Sequence, residues 1–545
     1  MQFWVWVWMN LLFLIEAALV GFAFFSSIRF GRLGGAFRRL ARSRYAPLAA
    51  GAAAIVLRLA VLPIEPAPRP AVHDEFSYLL AADTFLHGRL ANPAHAMWQH
   101  FETMQIDQQP TYASMYPPLQ GLVLAAGAIL TGHPFAGVCL SLGLMCGALC
   151  WALRGWFPPT WALLAALLAA IRICMFSYWA DSYWGGALAA AGGALLFGAI
   201  PRFARRSRAR DAAIAAIGIA MLANTRPFEG AAFTVGAALV LLPSVRRLKL
   251  RTIALAAAAV LVPVAAGMAY YNWRAFGSPG TFPYAVNRST YAVSPYFLFQ
   301  SPSPQPQYRH ASIRDYYVGW ELPVFLGARS APGYLSVVLF KLRVFWLFYV
   351  GPALTIPLVA AAWTWRSRRT RVLVLMAGVL AIAMSPIPFF VAHYAAPATV
   401  LVWGLVIQGL RALRRWRPGL ANGIPAVCVL MAGIRIAMAL VPIPFVLSFP
   451  MTWAATWSPH LERDAISRRL HAMGGQHLVI VHYRPGHDPL KEYVFNRADI
   501  DASEIVWAHD MGPDRDSELC RYFRSRRVWW LDADAQPPQL SAYPL

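Results

Sequence analysis

Residues 3–25, FWVWVWMNLLFLIEAALVGFAFF, are followed closely by residues 28–44, IRFGRLGGAFRRLARSR. The first stretch carries a single acid, Glu16, and as a helix exceeds the roughly 20 apolar residues that cross a bilayer. The second carries six arginines and no acid. An apolar span that ends in a block of cations reads as a membrane crossing whose next loop is held on the cytoplasmic side. No basic segment precedes the span, so a cleaved signal peptide is not indicated. The N-terminus is then expected outside, with Trp4, Trp6 and Trp8 at the interface.

The same alternation continues along the chain. Segments 201–210, 245–251, 366–371 and 411–417 hold five, four, four and four basic residues with no acid among them. With the first block they account for the whole formal net charge of +23, set by 48 Lys and Arg against 25 Asp and Glu. A nucleic-acid surface would interleave cations with aromatics on a folded face. Here the cations lie between apolar spans, so the excess reports topology and nucleic acid is excluded as a partner. Charged residues are 13% of the 545 and hydrophobic ones 58%. A soluble protein carries roughly 25% charged residues, so a cytosolic enzyme and a disordered tail are excluded too. Five of the six cysteines fall in apolar spans, which gives neither a disulfide framework nor a CxxC metal pattern.

About twelve crossings fit, at 3–25, 46–64, 134–153, 160–178, 183–200, 212–226, 230–244, 252–272, 344–364, 372–391, 394–410 and 421–448. The segment 119–132 is short for a crossing and suits a re-entrant or juxtamembrane helix. All five basic blocks then lie inside, and the long polar loops 65–118 and 273–340 lie outside. From 451 the composition becomes that of a soluble domain. HLVIVHY (477–483), EIVWAH (504–509) and RVWWLD (527–532) predict buried strands, and 517–526 predicts an amphipathic helix. The expected domains are therefore 1–45, an N-terminal span with its basic loop; 46–450, the membrane domain with both outer loops; and 451–545, a periplasmic α/β domain. The fold class is a mainly α polytopic membrane protein with a small C-terminal α/β domain on the outer face. Multi-pass residence in a bacterial inner membrane, with both termini periplasmic, is the matching localisation.

Charges beside the membrane on the outer side are the places to look for chemistry, because burying them is costly. Asp74 and Glu75 open HDEFSYLLAADTFLHGRL (73–90), where a carboxylate can act as a general base or simply favour a helix start. Arg226 and Glu229 in NTRPFEG (224–230) suit a phosphate site, since a guanidinium binds phosphate oxygens through paired hydrogen bonds, or an i,i+3 ion pair. Arg172 and Arg58 lie near outer span ends, within reach of a site or of lipid head groups, with snorkelling the better reading for Arg58. Arg435 lies mid-span without a motif. A divalent cation or zinc has His73, Asp74, Glu75, His95 and His100 to draw on, but no ligand spacing selects a metal.

The segment 73–90 resembles the first outer loop of the GT-C glycosyltransferases, specifically the protein O-mannosyltransferase and lipid A aminoarabinose transferase group. Tyr116-Pro117-Pro118-Leu119 resembles that group's Lys-Pro-Pro-Leu, and Asp181 of WADSYWGG (179–186) resembles its second acidic position. Arg226 stands where the group places a cation at the outer end of a helical hairpin. His393-Tyr394-Ala395-Ala396-Pro397 resembles its late Arg-Tyr-x-x-Pro. The resemblance covers about 46–411, with Tyr116 in place of a Lys and His393 in place of an Arg.

It implies a GT-C-like fold, a polyprenyl-phosphate sugar donor, a periplasmic lipid, glycan or protein acceptor, and inversion at the anomeric carbon. On this reading Asp74 is the base. Glu75 orients it or holds a cation, and Asp181 is a second carboxylate. Arg226, Tyr116, His393 and Tyr394 fall at the donor phosphate, with Arg172 a further cation for it. A transporter or lipid flippase is the alternative, but no paired halves with broken helices are evident. A scaffold whose outer domain binds a partner leaves the ordered charges unexplained. Outer loops this long favour surface catalysis.

Overall fold

The computed structural model describes residues 2–25, 33–440, 451–455 and 461–544. The side chains of Trp4, Trp6 and Trp8, the end of the expected span 421–448 and the boundary at 451 lie partly or wholly outside the described residues. The chain is mainly helical, with a small sheet near its C-terminus. It forms two compact units, one drawn from 1–68, 135–265 and 337–457, the other from 69–134, 266–336 and 458–545.

The membrane character lies in the helices. Seven among the described residues are long and apolar enough to cross: Phe135–Leu153, Ala187–Arg206, Pro227–Arg247, Leu250–Phe276, Ala331–Thr364, Ala392–Trp416 and Pro418–Ala439. Apolar helices of intermediate length are Asn10–Phe25, Ala46–Ala60, Pro118–Thr131 and Pro159–Ile173. The expected crossings at 212–226 and 372–391 are helices Ala209–Ala223 and Arg368–Met384, of 15 and 17 residues. Proline opens several helices, as in Pro159–Ile173 and Pro227–Leu241, where its missing N–H would be unpaired in any case.

One boundary differs for a clear reason. The span expected at 344–364 belongs to a helical run that starts at Ala331. Lys341 lies within this run, and its Nζ donates to the Met384 and Ser385 carbonyls at 2.9 and 3.2 Å. Those oxygens stand at the end of helix Arg368–Met384, where the last carbonyls lack helical partners. A cation satisfied in this way does not end the apolar run.

The second unit holds the seven strands found among the described residues. β1 (Asn92–Pro93), β2 (Ile106–Asp107) and β3 (Thr111–Ser114) form a short antiparallel sheet in the order β1-β3-β2. β4 (His477–His482), β5 (Ile505–His509), β6 (Arg527–Asp532) and β7 (Gln539–Ala542) form the larger sheet in the order β5-β4-β6-β7. β4 pairs parallel with β5 and β6, with Val479 opposite Trp507 and Trp529, and β7 is antiparallel to β6. A parallel sheet needs cover on both faces.

Leu478, Ile480, Val506 and Ala508 point to one core; Val479, Val481, Ile505 and Trp507 point to the other. Helix Leu461–Met473 covers the second face through Ile466 and Leu470. The first is covered by Leu519 and Phe523 together with Leu80, Phe101, Ile106 and Tyr112 of the first polar loop. The Phe76 and Phe495 rings stack at 4.0 Å. The C-terminal strands therefore share a core with that loop. The helix expected at 517–526 is Pro513–Tyr522, because Gly512 at φ 89° and Pro513 start it early. Arg526 lies beyond its end, donating to the Asp501 and Ser503 carbonyls.

Candidate active site

In the second unit, helix His73–Leu86 presents Asp74 at its first turn. Tyr116 donates its hydroxyl to Asp74 Oδ1 and also meets the Gln105 amide oxygen. The other oxygen, Oδ2, is 3.3 Å from His73 Nε2. Tyr116 is held by local chemistry. Its backbone N–H donates to Ser114 Oγ, Ser114 bonds Ser77, and Ser77 donates to the Gln105 carbonyl. Its ring stacks on Tyr78 at 4.3 Å, and the prolines that follow open helix Pro118–Thr131. That helix lies so close to His73–Leu86 that a Cβ on Gly121 would come within 2.7 Å of the Ala81 methyl.

Burial lowers the His73 pKa, against the pull of Asp74 and Glu492, so a neutral imidazole stands beside the carboxylate. The Asp74 side chain keeps 16% of its surface exposed. It is therefore a carboxylate with one oxygen fixed and part of its surface open, as a general base needs.

Glu75 does not share that environment. It is buried, and its Oε2 accepts the Ala71 and Val72 N–H groups at 2.7 and 3.3 Å. These are backbone donors at the helix start, so Glu75 acts as its cap.

In the first unit, Arg226 precedes helix Pro227–Leu241 as its N-cap. Its guanidinium lies over the Tyr394 ring at 4.2 Å and 3.9 Å from Glu229. His393, next in chain, is buried: its Nδ1 meets Tyr178 Oη at 3.1 Å, and its N–H donates to the same oxygen at 2.9 Å. Trp184 packs edge-on to His393 at 5.0 Å. Arg226, Tyr394 and His393, which the sequence suggested together, are thus neighbours. The arrangement joins a cation, a helix N-terminus and polar aromatics, a setting that suits an oxyanion.

Asp181 takes a different partner. Arg58 Nη2 donates to its Oδ1 at 3.1 Å, while Nε donates to the Ala180 carbonyl and Nη1 to that of Glu65. Arg58 is fully buried, so it does not snorkel. Arg435 pairs with Glu65 in the same network. Burial raises the Asp181 pKa to about 6, Arg58 opposing it and Glu65 adding to it. Arg172, expected near the donor phosphate, is buried against Glu16 at 2.7 Å and donates to the Val350 carbonyl. Its guanidinium faces that acid in the interior. The hydroxyl of Tyr116, expected at the same phosphate, faces Asp74 and Gln105.

Among the described residues no three His, Cys, Asp or Glu side chains are grouped so as to hold a metal ion. His95 pairs with Asp501 and His100 lies near Asp516. Gln105 and Tyr178 were not singled out by the sequence. Gln105 carries no local signal beyond its polarity, whereas Tyr178 lies immediately before the quoted WADSYWGG (179–186), three residues before Asp181.

No family model matches the chain, and no curated protein matches it. Among solved structures, the chain is similar to ArnT from Cupriavidus metallidurans bound to undecaprenyl phosphate, with TM-score 0.49 and 12% identity over 88% of this chain and 91% of that one. It is also similar to the oligosaccharyltransferase of Archaeoglobus fulgidus in complex with zinc and sulfate, with TM-score 0.48 and 13% identity over 89% of this chain and 68% of the other. Both are GT-C glycosyltransferases.

Proposed function

We propose that this chain is a membrane-embedded glycosyltransferase that moves a sugar from a polyprenyl-phosphate donor to an acceptor hydroxyl, with inversion. The observation that carries the reading is the partly exposed Asp74 carboxylate, aligned by the Tyr116 hydroxyl on the segment that resembles the GT-C first loop. In the proposed step the acceptor O–H gives its proton to Asp74 as its oxygen bonds to the anomeric carbon. The bond from that carbon to the phosphate oxygen breaks, and the electron pair leaves with the phosphate. Arg226 is the proposed cation for that phosphate, because charge developing on a leaving oxyanion is best met by a preplaced donor. Asp181 is proposed to position the acceptor, its raised pKa suiting a hydrogen bond to a hydroxyl. The acceptor is proposed to be met on the periplasmic side of a bacterial inner membrane.

The test uses full-length protein in lipid nanodiscs with a polyprenyl-phosphate sugar extracted from cells lacking this gene. Transfer is expected with the native chain, together with accumulation of that donor in the deleted cells. Asp74→Asn should abolish transfer while the protein keeps its unfolding temperature. Full transfer by Asp74→Asn would remove Asp74 as the base, and movement of a solute across vesicles without any transfer product would overturn the class.

A further inference from the structure

The basic segments of the first unit border two adjoining half-open cavities. One, of about 440 Å³, has Arg205, Arg368 and Arg369 in its wall beside the hydroxyls of Ser244 and Ser367. The other, of about 280 Å³, has Arg366, Arg369, Arg411 and Arg415 in its wall. Arg369 and Ser367 belong to both. Among the described residues no carboxylate lines either cavity. Arg58, Arg172, Arg226 and Arg435 of the same unit, by contrast, each face an acid.

Topology alone requires cations on this side, but not that they converge. Solvated loops would let like charges spread apart. Here the Arg369 and Arg411 guanidiniums both lie against the Phe157 ring, at 5.8 and 5.7 Å. Like charges gathered around one ring repel, and an anion beside them offsets that repulsion. The surroundings are amphipathic. Trp363, in the wall of the smaller cavity, and Trp416 are 65% and 57% exposed, and their rings meet at 5.4 Å. Exposed tryptophans beside cations mark the level of the head groups.

We propose that these cavities bind the phosphodiester head groups of anionic phospholipids in the leaflet on the basic side. A guanidinium suits a phosphodiester because its fork matches two oxygens, and basic pockets between membrane helices take such head groups. Arg369, in both walls, links the two sites, so the two phosphates of a diphosphatidylglycerol lipid fit the pair. The ligand is a structural lipid and is independent of the sugar-transfer reading.

The test counts lipids bound to the full chain by native mass spectrometry, from nanodiscs of phosphatidylglycerol or phosphatidylcholine. Selective retention of phosphatidylglycerol is expected. Arg368→Gln/Arg369→Gln/Arg411→Gln should weaken it on the order of a hundred-fold, at roughly fivefold for each charge lost beside lipid. Arg38→Gln/Arg39→Gln/Arg42→Gln removes the same charge outside the cavities and should leave it within a few-fold. Should the cavity triple unfold, Arg369→Lys keeps the charge, loses the fork, and is still expected to weaken retention. Equal loss from both triples, or no preference for phosphatidylglycerol, overturns the proposal. So does displacement of the lipid by inorganic phosphate, which would assign the cavities to a soluble anion.

Discussion

The Glu16 carboxylate and the Arg172 guanidinium lie 2.7 Å apart, with both side chains buried. Ala353 N–H donates to the same Glu16 oxygen at 3.1 Å, and Arg172 donates to the Val350 carbonyl at 3.2 Å. Gly351 stands between those backbone groups at φ 61°, where a Cβ would come within 2.5 Å of Arg172 Nη2. The pair therefore fastens the first helix to the break between the π-turn Trp346–Val350 and helix Gly351–Ala360. Glu16→Gln would leave Arg172 buried without its counter-charge, at a cost of about 3–5 kcal/mol. Replacing both, as Glu16→Gln/Arg172→Met, should recover most of that loss. Thermal unfolding of the four proteins in one detergent measures the coupling, and additive losses would show that the two charges do not interact.

Tyr116→Phe separates two roles for one residue. As the group that aligns Asp74, its hydroxyl affects the rate of proton removal, so kcat should fall about tenfold with donor KM unchanged. A ligand to the donor phosphate would instead raise donor KM. Steady-state transfer with a polyprenyl-phosphate sugar distinguishes the two, and the pH profile of the variant should move with its kcat.

The candidate residues were legible because charges beside a membrane are few. Asp74 and Arg226 stand out of apolar surroundings, and the motifs around them give their order. The partners were not legible. Arg172 meets Glu16 at a separation of 156 residues, Arg58 meets Asp181 at 123, and Tyr178 meets His393 at 215. A span with one arginine looks the same whether the charge faces lipid, substrate or a distant acid. β4, β5 and β6 of the larger sheet were found for the opposite reason, since a continuous apolar run bounded by turns is local information, whereas β7, an exposed QLSA edge, gave no such run. That Leu80 and Phe101 cover one of its faces is not.

Arg226→Lys tests whether a guanidinium is required at the head of helix Pro227–Leu241. A lysine keeps the charge but loses the flat face over Tyr394 and the two-pronged phosphate geometry. Donor KM should rise about tenfold or more. Tyr394→Leu removes only the ring, and a cation–π contact is worth about 0.5–2 kcal/mol, so its effect should be smaller. Equal effects of the two substitutions would mean that the ring, not the guanidinium fork, places the donor.

The second unit should be most stable on a plateau from about pH 4 to 6.5, because two buried groups titrate in opposite senses and their slopes cancel there. Burial pushes His509 from its ordinary 6.5 down to about 3. Its Nε2 meets the Glu102 carbonyl at 2.8 Å, and its ring stacks on His310 at 4.0 Å. A depressed folded pKa gives stability that is full above 6.5 and is lost as pH falls toward 3, at about 1.4 kcal/mol per pH unit. Asp107 is the reverse. Burial raises it to about 8, with Asn287 donating to Oδ1 at 3.1 Å and no hydrogen-bond partner for Oδ2 among the described residues. Its contribution is full below about 4, declines as pH rises, and is gone above about 8. Amide exchange in β4 and β5, corrected for intrinsic rates, should show both limbs. His509→Gln keeps a donor for the Glu102 carbonyl and should flatten the acid limb by one proton. Asp107→Asn keeps an acceptor for Asn287 and should remove the decline toward pH 8. An unchanged limb in either variant would assign that limb to other groups.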